Sequence, residues 1–510
     1  MNRILLLLIP ILLYSCQEKE TEKASSPNII LFFVDDMGWQ DTSVPFWTEE
    51  TPFNKRYHTP NMERLASEGM KFTQAYATAV CSPTRVSLLS GMNAAKHRVT
   101  NWTLRPDKIQ PMESNHEHLS FPFWNVNGLS PDTNTAHAVH VTPFPQILKD
   151  HGYRTIHAGK AHFGAIGTPG SDPLNLGFEV NIAGHAAGAP KSYLGIENFG
   201  NTPKFEGTPW PVPGLEKYHG EDIFLTEALT REAKSAIETS LNEEKPFFLY
   251  MALYGIHTPI MPDNRFVQKY YDAGLDTVEA KYASMIEAMD KSLGDLMDLL
   301  EARKVDEETI ILFMSDNGGL SAHTRAGEKH IHNRPLSSGK GSSHEGGIRE
   351  PMIVKWSGKV QAGSMNPNYL IIEDFYPTIL EMAGIGEFES LQKIDGKSFV
   401  VELEAPASGT QERALYWHYP NEWGPSGPGI GAFSSIRKGD FKLIYYHLDQ
   451  SFELFNIRED IGESRNLYPD DHQSFGQLAK ELGNYLRESE AQMPSLKSTG
   501  IQVPYPDELL

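Results

Sequence analysis

Polar and charged residues follow each of four strongly apolar runs in the sequence. In chain order they are Asp35, Asp36, Lys160, His162, His257, Asp316 and Asn317. In open parallel sheets, ligands bind outside the carboxyl ends of the strands, so these side chains are expected to meet at one edge of a sheet. A single Asp after a strand is more often a turn residue or a helix cap. The repetition at equivalent strand ends favours a functional site.

Oxygen ligands for a cation are offered by Asp35, Asp36, Asp316 and Asn317. Carboxylate and amide oxygens suit calcium or magnesium better than zinc. Three carboxylates around a dication leave roughly one net negative charge before other ligands are counted. An anionic substrate therefore needs cationic side chains nearby. The candidates for that role are Arg85, Lys160 and Lys340.

The pentapeptide Cys81-Ser82-Pro83-Thr84-Arg85 is a third chemical feature. Pro83 fits the first turn of a helix and Gly91 fits its end. Cys81 is then expected at the helix N-terminus, where backbone N–H groups favour anions. Arg85 lies four residues further on and so on nearly the same helix face. Taken alone, Cys81 has an alternative interpretation as a buried, inert cysteine.

This pentapeptide matches the C-x-P-x-R signature of type I sulfatases, a family of the alkaline phosphatase superfamily. Further segments resemble the same family, in order 28–36, 58–61, 65–66, 81–91, 159–162, 257–259, 315–318, 340–341 and 345–347. The resemblance implies a calcium-dependent sulfuric-ester hydrolase. It also implies that the cysteine is converted to formylglycine, an aldehyde. The implied partner is a formylglycine-generating enzyme or an anaerobic sulfatase-maturating enzyme.

The resemblance implies a role for each matching residue. Asp35, Asp36, Asp316 and Asn317 match the calcium ligands, and the modified Cys81 also contacts the metal. Arg85 matches the arginine that supports formylglycine, Lys160 and Lys340 match the lysines that hold the sulfate, and His162 and His257 match the catalytic histidines. The chain departs from the family pattern at Ala161, where tryptophan is common, and at Ser90, where threonine is usual. We expect Ala161 to change the wall of the substrate pocket and not the catalytic groups.

The elements that must position these residues are predicted from hydrophobic periodicity. The four apolar runs predict strands buried on both faces, at 28–34, 153–158, 247–253 and 309–314. Helical spacing predicts helices over 222–242 and 279–303. The alternation predicts an α/β fold, a mostly parallel sheet between helices, as a catalytic domain over 28–412. Residues 413–510 are predicted to form a smaller α+β domain, with antiparallel strands at 414–419, 432–437 and 441–446 and a helix over 474–489.

The chain has 510 residues and a formal net charge of −21, which disfavours nucleic acid as a partner. Residues 1–15 resemble a signal peptide, because a charged start precedes an apolar run too short to span a bilayer. Leu13-Tyr14-Ser15-Cys16 resembles a bacterial lipobox. It predicts lipidation of Cys16, a polar tether over 16–27, and an exported protein anchored by lipid to the outer membrane, in the periplasm or at the cell surface. Ordinary signal-peptide cleavage is the alternative.

An exported, tethered enzyme of this type resembles bacterial carbohydrate sulfatases, so the expected substrate is a sulfated polysaccharide or an oligosaccharide from it. The predicted substrate contacts are Lys160, His257, Lys340, Arg334 and His418. Rim loops are expected at 97–140, 184–215 and 320–334, the last with His323, Arg325 and His332 as candidates. Two alternatives stay open. One is a phosphatase or phosphonate monoester hydrolase of the same superfamily, and the other is a catalytically inactive glycan-binding surface lipoprotein.

Overall fold

A computed structural model of the chain describes residues 26–404 and 412–510. The predicted signal peptide, Cys16 and nearly all of the polar tether lie outside these residues. None of the helices in the described ranges is both long enough and apolar enough to cross a membrane.

The described residues form sixteen strands, and the longest are those of the central sheet. They are β1 Asn28–Val34, β2 Met70–Tyr76, β3 Leu119–Ser120, β4 Gly128–Ser130, β5 Ala138–His140, β6 Arg154–Gly159, β7 Val180–Ile182, β8 Phe247–Ala252, β9 Thr309–Ser315, β10 Arg349–Lys355, β11 Ser364–Ile371, β12 Ala414–Tyr419, β13 Phe433–Lys438, β14 Phe441–Tyr446, β15 Phe452–Asn456 and β16 Ser495–Leu496.

Eight strands form one sheet in the order β11-β2-β10-β9-β1-β8-β6-β7. Neighbouring strands are parallel except that β10 runs antiparallel to both β2 and β9. Every residue of β1, β8 and β9 is buried. Side chains of a strand alternate between faces, so Leu31 and Phe33 join one hydrophobic core while Phe32 and Val34 join the other.

Helices cover both faces of this sheet. The α-helices of the described residues are α1 Pro52–Arg56, α2 Pro60–Glu68, α3 Cys81–Ser90, α4 Ala94–His97, α5 Pro111–Ser114, α6 Phe144–Asp150, α7 Leu225–Asn242, α8 Val267–Asp272, α9 Thr277–Arg303, α10 Glu345–Ile348, α11 Phe375–Met382, α12 Val400–Glu404 and α13 His472–Glu488. Apolar residues of α2, α7 and α9 pack in one core, and those of α3, α6 and α11 pack in the other. The predicted α/β sandwich is confirmed.

A second sheet, β12-β13-β14-β15, is antiparallel throughout. One face, with Phe433 and Ile444, joins the core beneath the large sheet, and the other, with Ile436 and Leu443, packs against α13. The hairpin turn at Gly439 has a φ of 56°, a conformation that glycine adopts without strain. The predicted C-terminal antiparallel sheet is therefore confirmed. The domain boundary after residue 412 stays a prediction.

Candidate active site

Four adjacent parallel strands end at one edge of the large sheet, and the polar residues that follow them meet there. These strands are β9, β1, β8 and β6. Cys81 and Arg85 reach the same edge from α3, and Lys340 reaches it from the segment before α10. Direct contacts join all ten predicted catalytic and metal-binding residues into one buried cluster. Their individual roles stay predictions.

The acids of this cluster have the donor set that a hard cation needs. Oxygens of Asp35 and Asp316 lie with Cys81 Sγ within 4.8 Å of one another. Asp35 Oδ1, Asp36 Oδ2 and Asn317 Oδ1 are buried and have no hydrogen-bond partner in the described parts of the chain. Orphaned oxygens in an interior are costly unless a cation binds them. These residues therefore fit a hard divalent cation.

Each of the three acids also pairs with one cation. Lys160 Nζ donates to Asp35 Oδ2 at 2.6 Å, and Lys340 Nζ donates to Asp36 Oδ1 at 2.5 Å. Arg85 Nε donates to the third acid, at 2.9 Å from Asp316 Oδ2. Three negative and three positive side chains balance, so a bound dication would leave the site positive. That local charge suits an anionic substrate in a chain whose overall charge repels one.

Burial and neighbouring charges shift the pKa values of these groups. Burial, and then the charge of Asp316, raise the pKa of Asp35 well above its usual range despite Lys160. Burial also opposes ionisation of Asp36, but Lys340 and His257 outweigh it and lower the Asp36 pKa. The same pairing overcomes burial at Lys340 and raises its pKa, so the ammonium stays charged.

His162 contacts Cys81 through one ring nitrogen. Its Nδ1 lies 3.4 Å from Cys81 Sγ, and its Nε2 lies 2.9 Å from the Thr103 carbonyl oxygen. A carbonyl only accepts, so Nε2 carries the proton and Nδ1 is left as an acceptor facing Cys81. Burial lowers the His162 pKa well below its usual value and keeps the ring neutral. Gly188 makes room for this ring, because a Cβ there would lie 2.3 Å from His162 Cε1.

His257 has the opposite arrangement. Its Nδ1 lies 2.8 Å from the Thr258 carbonyl oxygen, and its Nε2 lies 3.7 Å from Asp36 Oδ2. Burial lowers the pKa of His257 to about 3, although Asp36 opposes the shift. The ring is therefore neutral in the free enzyme. An arriving anionic group would favour its protonated form.

A cavity of about 340 Å³ opens over this cluster. Its floor consists of Cys81, His162, His257 and Lys340. Lys340 alone makes it a charged floor, since the other three groups are neutral. An aromatic wall of Trp102, Trp210 and Trp423 stands above the floor, with Met112 and Leu104 beside it. The predicted rim loops at 97–140, 184–215 and 320–334 all contribute lining residues, which confirms their placement. Trp423 and its loop were missed, because a lone tryptophan outside any motif gives no sequence signal.

Three of the predicted substrate contacts, Lys160, Arg334 and His418, do not line this cavity. Lys160 is fully buried against Asp35. His418 is buried inside the C-terminal region, where its ring nitrogens lie 2.9 Å from Ser434 Oγ and 3.1 Å from the Gln492 carbonyl oxygen. Burial lowers its pKa to about 4. The prediction for His418 is wrong, since the side chain lies inward from strand β12. Arg334 is exposed on the surface and is also absent from the cavity lining.

Two rim candidates are likewise structural. Arg325 is buried and donates to both carboxylate oxygens of Glu279 at 2.7 Å, and its guanidinium lies 3.6 Å from the ring centre of Tyr282. His332 Nε2 lies 2.9 Å from the Ala326 carbonyl oxygen. Of the candidates in this loop, His323 does line the cavity.

The fold and the site together define an alkaline phosphatase-like hydrolase. The sequence profile described as Sulfatase matches residues 27–385, and the one described as N-sulphoglucosamine sulphohydrolase, C-terminal, matches residues 339–492. The chain belongs to the sulfatase family, and it is a sulfatase enzyme.

Several relatives resemble it over most of their length. A sulfatase of Formosa agariphila is 30% identical over 94% of this chain and 91% of its own. The N-acetylgalactosamine-6-sulfatase of Mus musculus is 30% identical over 86% of this chain and 76% of its own. The crystal structure of Ps i-CgsB in complex with k-i-k-neocarrahexaose has a TM-score of 0.70 and 26% identity, covering 91% of this chain and 93% of that chain.

Proposed function

We propose that this enzyme removes sulfate from a sulfated polysaccharide, or from an oligosaccharide derived from it, with formylglycine made from Cys81 as the nucleophile and calcium as the cation. The observation that carries the proposal is the position of Cys81. Its Sγ lies beside the ligand oxygens of Asp35 and Asp316 and 3.4 Å from His162 Nδ1.

The unmodified thiol is poorly suited to attack. Burial raises the pKa of Cys81, although Lys160 and Lys340 oppose the shift, so little thiolate forms at neutral pH. A maturating enzyme, which supplies the oxidant, would convert the –CH2–SH side chain of Cys81 to an aldehyde, –CHO. The start of α3 at Cys81 then suits the oxygen-rich product, because the helix N-terminus favours negative charge.

Asp35, Asp36, Asp316 and Asn317 are the residues that would hold calcium. When bound, the ion lowers the pKa of a coordinated hydroxyl and holds a sulfate oxygen. Lys160, Lys340 and Arg85 stabilise the negative charge that develops on the transferred group. A phosphatase or phosphonate hydrolase of the same superfamily is the competing function, and sulfate and phosphate esters of one alcohol distinguish the two.

The proposed reaction has two covalent steps. Formylglycine hydrates to a geminal diol, and one hydroxyl loses its proton to water. Its oxygen then bonds to sulfur while the bond from sulfur to the leaving alcohol breaks. The alcohol takes its proton from His257, protonated in the presence of the anionic ester, with Lys340 assisting. The second hydroxyl then gives its proton to His162 Nδ1 as the bond from carbon to the sulfate oxygen breaks. Sulfate leaves and the aldehyde is restored.

The relatives support a carbohydrate substrate. One relative is named as an N-acetylgalactosamine-6-sulfatase. The structure of another is a complex with a neocarrahexaose, which is a saccharide. The apolar cavity wall above a cationic floor suits a sugar that carries a sulfate. Export, lipidation of Cys16 and anchoring to the outer membrane, in the periplasm or at the surface, complete the proposal and rest on residues 1–16 of the sequence.

Peptide mass spectrometry of the Cys81 segment, from protein made in its native host, tests the nucleophile. Conversion to formylglycine lowers the mass by about 18 Da relative to cysteine. The proposal also predicts that Cys81→Ser abolishes turnover, since a serine sulfate lacks the second hydroxyl. An unmodified thiol in an active enzyme would overturn the formylglycine proposal and favour a phosphatase that works without it.

A further inference from the structure

The segment that follows β12 carries Trp423 into the active-site cavity. The Trp423 ring centre lies 5.6 Å from Lys340 Nζ, and the ring lies 6.3 Å from that of His323. The indole packs edge-on against Gly341, whose φ of 87° suits glycine. A Cβ on Gly341 would lie 2.5 Å from Trp423 Cδ1. Gly341, which follows Lys340 directly, therefore has no side chain that would exclude the Trp423 ring.

Hydrogen bonds fix this segment from two sides. On one side, Asn421 Nδ2 donates to Glu113 Oε1 at 2.6 Å, and Asn101 Nδ2 donates to the same oxygen at 2.9 Å. Glu113 thereby joins the Trp423 segment to the loop that carries Trp102. On the other side, Ser343 N donates to the Gly429 carbonyl at 2.9 Å. Side chains held in this way lose little conformational entropy on binding a ligand.

We propose that Trp423 is a stacking platform for the pyranose ring that bears the sulfate. This inference rests on the proposed function. In the proposed function the sulfate group binds at the charged floor, and the sugar ring attached to it then faces the aromatic wall. Trp423 is the wall residue in contact with Lys340. Aromatic faces carry negative charge density, so they attract the weakly positive C–H groups on the apolar face of a pyranose.

The test compares variants of the full-length matured enzyme. The substrate is the sulfated saccharide that wild type hydrolyses fastest among N-acetylgalactosamine 6-sulfate, glucosamine 2-N,6-O-disulfate and a neocarrahexaose. Trp423→Ala is expected to raise KM at least tenfold, with a smaller effect on kcat. Trp423→Phe, which keeps an aromatic face, is expected to stay within about threefold of wild type, whereas Trp423→Leu is expected to resemble the alanine variant.

Inhibition by inorganic sulfate separates stacking from an indirect effect on Lys340. Free sulfate reaches only the charged floor, so its inhibition constant is expected to change less than threefold in Trp423→Ala. Trp356→Ala, which removes a half-buried tryptophan outside the cavity, is the matched control. An unchanged KM in Trp423→Ala, equal KM values for the phenylalanine and leucine variants, or a lowered kcat with unchanged KM would each overturn the inference. A wild-type enzyme that releases no sulfate from any saccharide would instead overturn the proposed function.

Discussion

His162 accepts from one side and donates to the other: its Nδ1 lies 3.4 Å from Cys81 Sγ, and its Nε2 lies 2.9 Å from the Thr103 carbonyl oxygen. The Thr103 carbonyl therefore fixes the tautomer in which the free lone pair faces the nucleophile. The second step of the proposed reaction needs a proton acceptor at this position, and we propose His162 for that role.

His162→Ala is therefore expected to trap the sulfated enzyme. Without a base, the second hydroxyl keeps its proton, and a single turnover adds about 80 Da, the mass of a sulfuryl group, to the protein. Intact mass spectrometry after incubation with substrate measures the adduct. His151→Ala, at an exposed histidine, is the control. Multiple turnovers by His162→Ala at the wild-type rate would contradict the assignment.

Asp316→Asn is expected to destabilise the fold by about 3–5 kcal/mol, because it leaves the buried Arg85 guanidinium without a counter-charge. Arg85 and Asp316 are both fully buried and lie 2.8 Å apart. Urea unfolding of the metal-free protein measures the change. Asp295→Asn breaks a half-exposed pair with Lys291 and should cost only about 0.5 kcal/mol. Equal effects of the two substitutions would show that the buried pair contributes no more than a surface pair.

Removing the cation is expected to lower both activity and thermal stability. In the proposed calcium-bound enzyme, the ion binds oxygens of Asp35, Asp36 and Asn317 that have no hydrogen-bond partner within residues 26–404 and 412–510. Chelation should lower Tm by roughly 5 °C or more, and added calcium should restore it. Differential scanning fluorimetry measures the shift. Asp35→Asn is expected to respond much less to calcium, and a calcium response equal to that of wild type would argue against Asp35 as a ligand.

Lys442 joins the small sheet to the segment behind Lys340. It is fully buried, donates to Glu345 Oε1 and Ser343 O at 2.9 Å, and lies 2.5 Å from Glu463 Oε1. Lys442→Met removes the nearest cation from both carboxylates, leaving Glu345 with Arg349 at 3.2 Å and Glu463 with His344 at 3.8 Å, at an expected cost of about 3 kcal/mol. Chemical denaturation measures this loss. The control, Lys438→Met, removes a partly exposed pair with Glu481 and is expected to cost at most about 1 kcal/mol.

Glu373 should make stability depend on pH. Burial, and then Asp374, raise the pKa of Glu373 to about 8 from an ordinary value of 4.5. Because the folded-state pKa is the higher one, its stabilising contribution is complete below about pH 4.5 and is lost as pH rises through about 8.

Glu373→Gln removes this titration and keeps an acceptor for Asn93, which donates to Glu373 Oε1 at 2.9 Å. Between pH 5 and pH 8, the variant should lose about 3 kcal/mol less unfolding free energy than wild type. Urea titrations at the two pH values give the difference. Parallel pH profiles for the two proteins would show that Glu373 is ionised in the fold at neutral pH.

The hydrophobic pattern of the sequence predicted the bounds of the strands that carry the site to within one residue. β1 and β12 have the predicted bounds, β8 and β9 differ by one residue at one end, and β6 is displaced by one residue. Fully buried strands give continuous apolar runs, and their ends are marked by the first charged residue. The helix at Cys81 was predicted from Pro83 and Gly91, and Gly91 does end it in the left-handed conformation.

The cavity wall was much harder to predict. His418 lies in a correctly predicted strand, but strand alternation alone does not say which face is covered by α13 and its flanking segments. Trp423 belongs to a loop whose position depends on contacts with Glu113 and Ser343, the first of them 308 residues away in sequence. Such long-range packing leaves no periodic signal. The residues that follow the strand ends could therefore be predicted from the sequence, whereas the residues of the cavity wall could not.

The burial of Cys81 sets the order of events in the life of the protein. Cys81 is only 4% exposed, and every other residue of α3 is buried with it. A maturating enzyme must surround a thiol to oxidise it, so it can act only while this segment is still an unfolded, extended chain. In the proposed biosynthesis, oxidation of Cys81 therefore precedes folding. In this proposal, a molecule that folds before oxidation keeps its thiol. The active fraction of a preparation is then set before the protein folds.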